Sequence, residues 1–234
     1  MSFSFEPIGI IHSCYDQKFG IPRQAGLAPA AGAVLELLPP CNRPESVKGL
    51  EEFSHIWVVF VFHRNMKASW KPTVRPPRLG GNRRIGVFAS RSGFRPNPIG
   101  MSAVELLQIR RQDQKLLLDL KGIDLLDGTP VLDVKPYIPY ADSIDSAEAG
   151  FANKPPAATL TVEFTPQARQ ACRDLEKRTG EPVETAITQF LQYDPRPAYY
   201  DDRSKKHFGT VMFGMEIKWE VDDGRAVVVS IATK

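Results

Sequence analysis

Apolar and polar positions alternate through the first half of the chain in short runs that predict strands. Phe5–Ser13, Ala33–Leu38 and His55–Phe62 read this way, and the last, HIWVVFVF, is continuous enough to be buried on both faces. Pro44–Phe53 predicts a short helix or turn ahead of it. Ile85–Ala89, Met101–Ile109, Lys115–Ile123 and Pro130–Lys135 predict four more strands, with RRQDQ and DLLDG as turns. From Arg64 to Arg84 the pattern breaks. Prolines and a Gly-Gly pair in WKPTVRPPRLGGNRR predict a long loop, which in a compact domain is uncommon unless functional or disordered.

Between Asp142 and Pro156 the residues turn small, polar and proline-rich, which predicts a boundary. Beyond it Thr159–Phe164 reads as a strand. A helix follows with Thr165 as N-cap, Pro166 at its first position, an apolar stripe of Ala168, Ala171, Cys172 and Leu175, and Gly180 as its stop. Val183–Gln192 predicts a second helix, and Thr210–Val221 with Ala226–Ile231 a closing hairpin around DDGR. The fold class is mainly β. Residues 1–142 form a barrel or sandwich, 143–156 a linker, and 157–234 a small α+β domain. Strands alternating with long helices, as a doubly wound nucleotide fold requires, are missing.

Composition sharpens this picture in two places. The 42% hydrophobic and 24% charged residues are those of an ordinary globular protein, but 20 prolines in 234 residues favour turns and short strands. No run approaches the roughly 18 apolar residues of a membrane helix, and the opening residues lack a signal peptide's basic start. Cys14, Cys41 and Cys172 are widely spaced with no CxxC pair, which fits a reducing cytoplasm.

Charge is distributed unevenly. Phe53 to Val104 contains no Asp or Glu, yet holds Arg64, Lys67, Lys71, Arg75, Arg78, Arg83, Arg84, Arg91 and Arg95. With a net charge of +3 overall and +9 in this window, the remainder carries −6. A one-sign block rich in arginine attracts a polyanion, and RNA leads the candidates. In the tail, DPRPAYY places Arg196 and Tyr199 on a proline-stiffened loop suited to stacking on single-stranded bases.

The usual catalytic signatures are missing. His12, His55, His63 and His207 show no ligand spacing, so a metal-dependent hydrolase is the weaker alternative. GxSxG, GxGxxG and GxxxxGK[ST] do not occur. What remains is a group of Gly- and Pro-shaped loops that expose peptide groups, as a small-ligand cradle does. They are QAG at 24–26, His63-Arg64, the segment from Arg91 to Gly100, and Asp127–Pro130. Asp133 and Lys135 share one face of a short strand, an acid–base unit or a structural ion pair.

PRQAG, FSHIWVVFVFH, KPTVRPPRLGGN, GVFASRSGFRPNPIGMS, DLLDGTPVLDVKPY and DPRPAY, in that order, resemble the tRNA adenine-N6-methyltransferase family of TsaA-like proteins over nearly the whole chain. The resemblance implies a single-sheeted β-barrel, binding of S-adenosylmethionine, and a homodimer with the cofactor near the subunit interface. It implies methylation of N6 of threonylcarbamoyl-adenosine beside the anticodon, at position 37, in threonine tRNAs. Carried over by motif, the cofactor cradle is Gln24, Ala25, Gly26, His63, Arg64, Arg91, Met101 and the run Asp127, Gly128, Thr129, Pro130, Val131 and Leu132. Asp133, oriented by Lys135, is the expected proton acceptor. Arg75, Arg78, Arg83, Arg95, Asn97, Arg196 and Tyr199 are the expected tRNA contacts. A non-catalytic RNA-binding barrel is the alternative.

Overall fold

The computed structural model describes residues 3–66, 69–196 and 207–233. Eight strands occupy the first half: β1 (Gly9–Ser13), β2 (Gly32–Leu37), β3 (His55–Val61), β4 (Thr73–Val74), β5 (Ile85–Gly86), β6 (Ile99–Gln112), β7 (Lys115–Lys121) and β8 (Thr129–Pro136). Six of them close a barrel in the order β1-β2-β7-β6-β3-β8, every pairing antiparallel. Closure removes both sheet edges, and the inward side chains fill the interior. Ile11, Leu35, Ile56, Val58, Leu118, Leu120 and Val131 form that filling, each almost fully buried.

The register explains a departure from the sequence reading. β3 was expected to be buried on both faces, but alternate residues Ile56, Val58 and Phe60 point inward while Trp57, Val59 and Val61 are only half-buried outside. Its outer apolar residues still find partners, as with Trp57 and Tyr137, whose rings lie 5.7 Å apart. The expected loop after Arg64 is also more ordered than its prolines suggest. β4 pairs with β5, and a 3-10 turn at Pro77–Leu79 ends on Gly80 at φ 72°.

A short helix, α1 (Pro139–Asp142), leads into the second half. There β9 (Thr161–Phe164), α2 (Pro166–Thr179) and α3 (Val183–Leu191) precede β10 (His207–Met212), β11 (Met215–Asp222) and β12 (Arg225–Thr233). The sheet runs β10-β11-β12-β9, with β9 parallel to β12. Thr165 caps α2 by accepting from the Ala168 amide, and Gly180 closes it in the left-handed region, so both punctuation marks act as read. The stretch Thr210–Val221, expected as one strand, breaks at Phe213-Gly214, both at positive φ, into two strands of a hairpin.

All six barrel strands bring a loop or a strand end to one mouth. The β1–β2 connection (14–31), the turn after β3, the segment before β6 and the β7–β8 connection (122–128) meet there. Tyr15, in the first of these, forms an isolated bridge to Met212, which joins the barrel core to that of the tail.

Candidate active site

A cavity of about 450 Å³ opens at this mouth. Its size falls within the roughly 300–1,000 Å³ typical of small-molecule sites. Loop 14–31 contributes Lys18, Pro22, Arg23 and Gln24; the end of β3 and its following turn contribute Phe60, Phe62, His63 and Arg64. Arg91 and Arg95 come from the segment before β6, and Met101 and Ser102 from β6 itself. Asp124, Leu125 and Leu126 close the floor from the β7–β8 connection.

The walls are held by contacts that demand particular residues. Gly26 N–H donates to the Gly122 carbonyl at 2.8 Å, and Gly122 N–H to Ala31 at 3.0 Å, so the two loops are zipped together. Gly122 sits at φ 70°, and a Cβ there would face the Gly26 backbone at 3.5 Å. Across the mouth, Phe62 N–H donates to the Pro98 carbonyl at 2.7 Å. Gly93 lies so close beneath that a Cβ would stand 2.5 Å from Asn65 Nδ2 and 2.7 Å from Phe62 Cγ. The segment 90–98 is thereby pressed onto the end of β3.

Asp124 is the acid among the residues lining the cavity. Ser102 Oγ donates to its Oδ1 at 2.6 Å. Burial pushes its carboxyl above the usual carboxylate range, against the opposing pull of Ser102, the Asp124 and Ala25 backbone amides, and Arg91. Arg91 in turn donates to Gln24 Oε1 at 2.7 Å, so Gln24, Arg91 and Asp124 form one polar wall. Burial, reinforced by the neighbouring Arg64, also lowers the His63 pKa, which keeps that ring neutral near pH 7. Sequence reasoning missed Asp124 because DLLDG reads as a turn. Asp124 is 29 residues beyond the last arginine of the basic block, so no local signal in the sequence marked it.

The expected cradle residues divide into two groups. Gln24, His63, Arg64, Arg91, Met101 and Thr129 line the cavity, and Ala25 and Gly26 support it through their amides. The rest of Asp127–Leu132 builds the corner below. Asp127 accepts from Ser13 N–H at 3.0 Å, Gly128 N–H donates to Ile11, and Val131 is fully buried in the barrel core. Pro130 and Leu132 belong to β8 and do not line the cavity. Asp133 and Lys135 lie on the outer wall of β8, flanking Val134, with Lys135 Nζ 2.7 Å from Asp133 Oδ2 and both side chains well exposed.

The expected tRNA contacts are dispersed. Arg75, Arg78 and Arg83 are exposed on the connection between β3 and β6, and Asn97 is exposed next to Pro98, whose carbonyl accepts from Phe62 N–H. Arg95 lines the cavity, donates to the Ser90 carbonyl at 3.1 Å, and stands over the Phe88 ring at 5.9 Å. Arg196 is mostly buried and forked onto Asp194, with both bonds at 2.7 Å. Tyr199 lies outside the described residues. Among the described residues no cluster of His, Cys, Asp or Glu suits a metal ion, and no helix is long and apolar enough to cross a membrane.

Comparison with known proteins identifies the family and the fold. Residues 10–143 match the tRNA-methyltransferase O N-terminal domain, and residues 157–234 the TrmO C-terminal domain. The tRNA (adenine(37)-N6)-methyltransferase of Escherichia coli is 48% identical over 223 residues, covering 95% of this chain and 94% of that protein. A Pseudomonas aeruginosa protein provisionally named S-adenosylmethionine-dependent methyltransferase RcsF is 47% identical over 219 residues, covering 94% of this chain and 93% of its own length. The crystal structure of TrmO from Pseudomonas aeruginosa superposes with a TM-score of 0.82 at 39% identity, covering 99% of each chain.

Proposed function

The chain belongs to the tRNA-methyltransferase O family, and from that premise we propose that it methylates N6 of threonylcarbamoyl-adenosine at position 37 of threonine tRNAs, using S-adenosylmethionine. It is an enzyme of the tRNA (adenine-N6)-methyltransferase class. The observation that supports a methyl-donor site is the polar wall of Gln24, Arg91 and Asp124 in a cavity within the range of small-molecule sites.

The residues fit the methyl donor. A half-buried carboxylate suits a cationic sulfonium, the side chains of Arg23, Gln24 and Arg91 offer donors and acceptors, and Phe60, Met101 and Leu126 supply apolar lining. S-adenosylmethionine, when bound, supplies an activated methyl group, so no enzyme nucleophile is needed. The chain's task is to orient the acceptor nitrogen and take its proton. That nitrogen is weakly nucleophilic, because its lone pair is shared with the ring and the carbamoyl group. We assign proton acceptance to Asp124. It faces the cavity and its raised pKa makes it a stronger base than an exposed aspartate, whereas Asp133 and Lys135 neutralise each other on the outer wall.

The arginines of 75–84 hold the phosphates of the anticodon arm beside the mouth. Phe94, Ile99 and Met101, between 41% and 54% exposed at the rim, support a homodimer with each site near the partner subunit. A tRNA substrate favours a cytoplasmic protein. Mass spectrometry of tRNA nucleosides after incubation with S-adenosylmethionine tests the reaction. The expected result is a gain of one methylene on threonylcarbamoyl-adenosine from threonine tRNA. A gain on unmodified adenosine, or no gain, overturns it.

A further inference from the structure

Loop 14–31, which supplies Gln24 and Arg23 to the cavity, is fastened on its far side by the C-terminal domain. Cys14 accepts from Phe213 N–H at 2.9 Å and Asp16 from Gly214 N–H at 2.9 Å, so the β10–β11 turn grips the start of the loop. Thr210 grips the middle. Its side chain is 1% exposed, its hydroxyl donates to the Phe19 carbonyl at 2.8 Å, and it accepts from Gln17 Nε2 at 3.2 Å. Gly20 follows at φ 120°, so close that a Cβ would stand 2.7 Å from Thr210 Oγ1. Phe19 then packs edge-on to Phe190 of α3, and Gln189 Oε1 accepts from Ala30 N–H at 2.7 Å near the loop's end.

These bonds are costly to satisfy any other way. The Phe19 carbonyl and the Thr210 hydroxyl lie at the seam of two domains, where an unpaired polar group loses water without replacement. The loop has few partners of its own, because residues 14–31 form no strand or helix. Its shape at Gln24 is set from both sides, by the barrel through Gly122 and Asp124 and by the C-terminal domain through Thr210 and Gln189.

We propose that the C-terminal domain is a positioning device for the methyl-donor loop, with Thr210 as its principal positioning residue. This rests on the cavity being the S-adenosylmethionine site. A loop that is only partly ordered binds in proportion to its competent fraction, so loosening it raises the apparent Kd. The chemical step, once the donor is bound, is unchanged.

The test compares full-length wild type with Thr210→Val, Thr210→Ser and Gln189→Ala. Isothermal titration with S-adenosylmethionine and hydrogen exchange of amides 14–31 in the cofactor-free protein are the readouts. Thr210→Val is expected to raise Kd about tenfold, one buried hydrogen bond's equivalent, and to speed exchange across 17–20. Thr210→Ser restores both. Gln189→Ala, at the loop's other end and on a folded helix, raises Kd about threefold and speeds exchange near Ala30. In turnover the KM for the donor rises while kcat holds. If Thr210→Val does not fold, Gln189→Ala decides alone. Wild-type affinity in that variant, or in a folded Thr210→Val, overturns the proposal. If wild type itself gives no binding heat, the cofactor reading fails instead.

Discussion

The Ser102 hydroxyl donates to the Asp124 carboxylate across 2.6 Å, joining an inward residue of β6 to the floor of the cavity. Ser102 is 5% exposed, a polar residue on a strand face that otherwise carries Val104 and Leu106 into the core. A hydroxyl in that position is explained by the carboxylate it serves. The pair fixes one oxygen of Asp124 and leaves the carboxylate facing the site.

Replacing Asp124 separates catalysis from stability. A folded-state pKa raised by burial means that the native protein binds this proton more tightly than the unfolded chain. The native state is therefore favoured most at low pH, and that advantage is lost as pH rises through the raised value. Asp124→Asn removes the buried charge, so its thermal midpoint should exceed the wild type's at pH 8, with the difference vanishing in mildly acidic buffer. Turnover should fall about a hundredfold or more, the usual contribution of general acid–base catalysis. Equal midpoints at pH 8 would contradict the burial argument; retained turnover would contradict the assignment.

The same carboxylate predicts pH-dependent donor binding. An ionised Asp124 attracts a cation and a protonated one does not, so bound S-adenosylmethionine draws the carboxyl pKa down. Affinity measured by titration calorimetry should be level above the raised pKa and decline as pH falls below it. In Asp124→Asn the curve should be flat. Decline in both proteins would point to another group.

Much of this arrangement is legible in the sequence, and the failures are local. Thr165, Pro166 and Gly180 bound α2 because capping is decided by adjacent residues. Alternation marked the strands but left barrel and sandwich open, and the family resemblance implied the single-sheeted barrel; the strand order β1-β2-β7-β6-β3-β8 depends on long-range pairing that no local pattern carries. The Phe213-Gly214 turn was invisible because neither residue pair nor flanking pattern resembles Asn-Gly, and the turn is held from outside by Cys14 and Asp16. Asp124 opens DLLDG and Asp133 opens DVKPY, and nothing local tells them apart. The β3–β8 register sends Asp133 outward opposite Val59, while the β7–β8 connection sets Asp124 on the cavity floor against Ser102.

The exposed arginines of the β3–β6 connection should govern salt dependence. Changing Arg75, Arg78 and Arg83 together to Ala removes three phosphate contacts in the proposed complex. The slope of log affinity against log salt should become shallower by about two to three units. Filter binding of threonine tRNA from low to moderate salt measures it. An unaltered slope would remove this strap from the interface.

Gly93 should resist even a methyl group. Its Cβ would collide with Asn65 Nδ2 and the Phe62 ring, and Phe62 is braced against Phe60 at 5.0 Å between ring centroids. Gly93→Ala is expected to cost about 1–3 kcal/mol and to lift the segment carrying Arg91 and Arg95. Denaturant melts should show the loss, accompanied by weaker donor binding. A melt identical to wild type would mean that the segment can shift freely.

Asp133→Asn gives the opposite expectation from Asp124→Asn. Asp133 meets Lys135 at 2.7 Å, but both side chains are substantially exposed, at 46% and 66%, on the outer wall of β8. An exposed pair of this kind contributes less than about 1 kcal/mol to stability, and its charge is screened from the cavity by the barrel wall. Asp133→Asn should keep both its melting profile and its single-turnover rate with saturating donor and tRNA close to wild type. A large rate loss with binding intact would return the proton-accepting role to Asp133. Because the barrel wall separates it from the cavity of its own subunit, the acceptor would then have to approach from the outer face, as a site completed by a second subunit would allow.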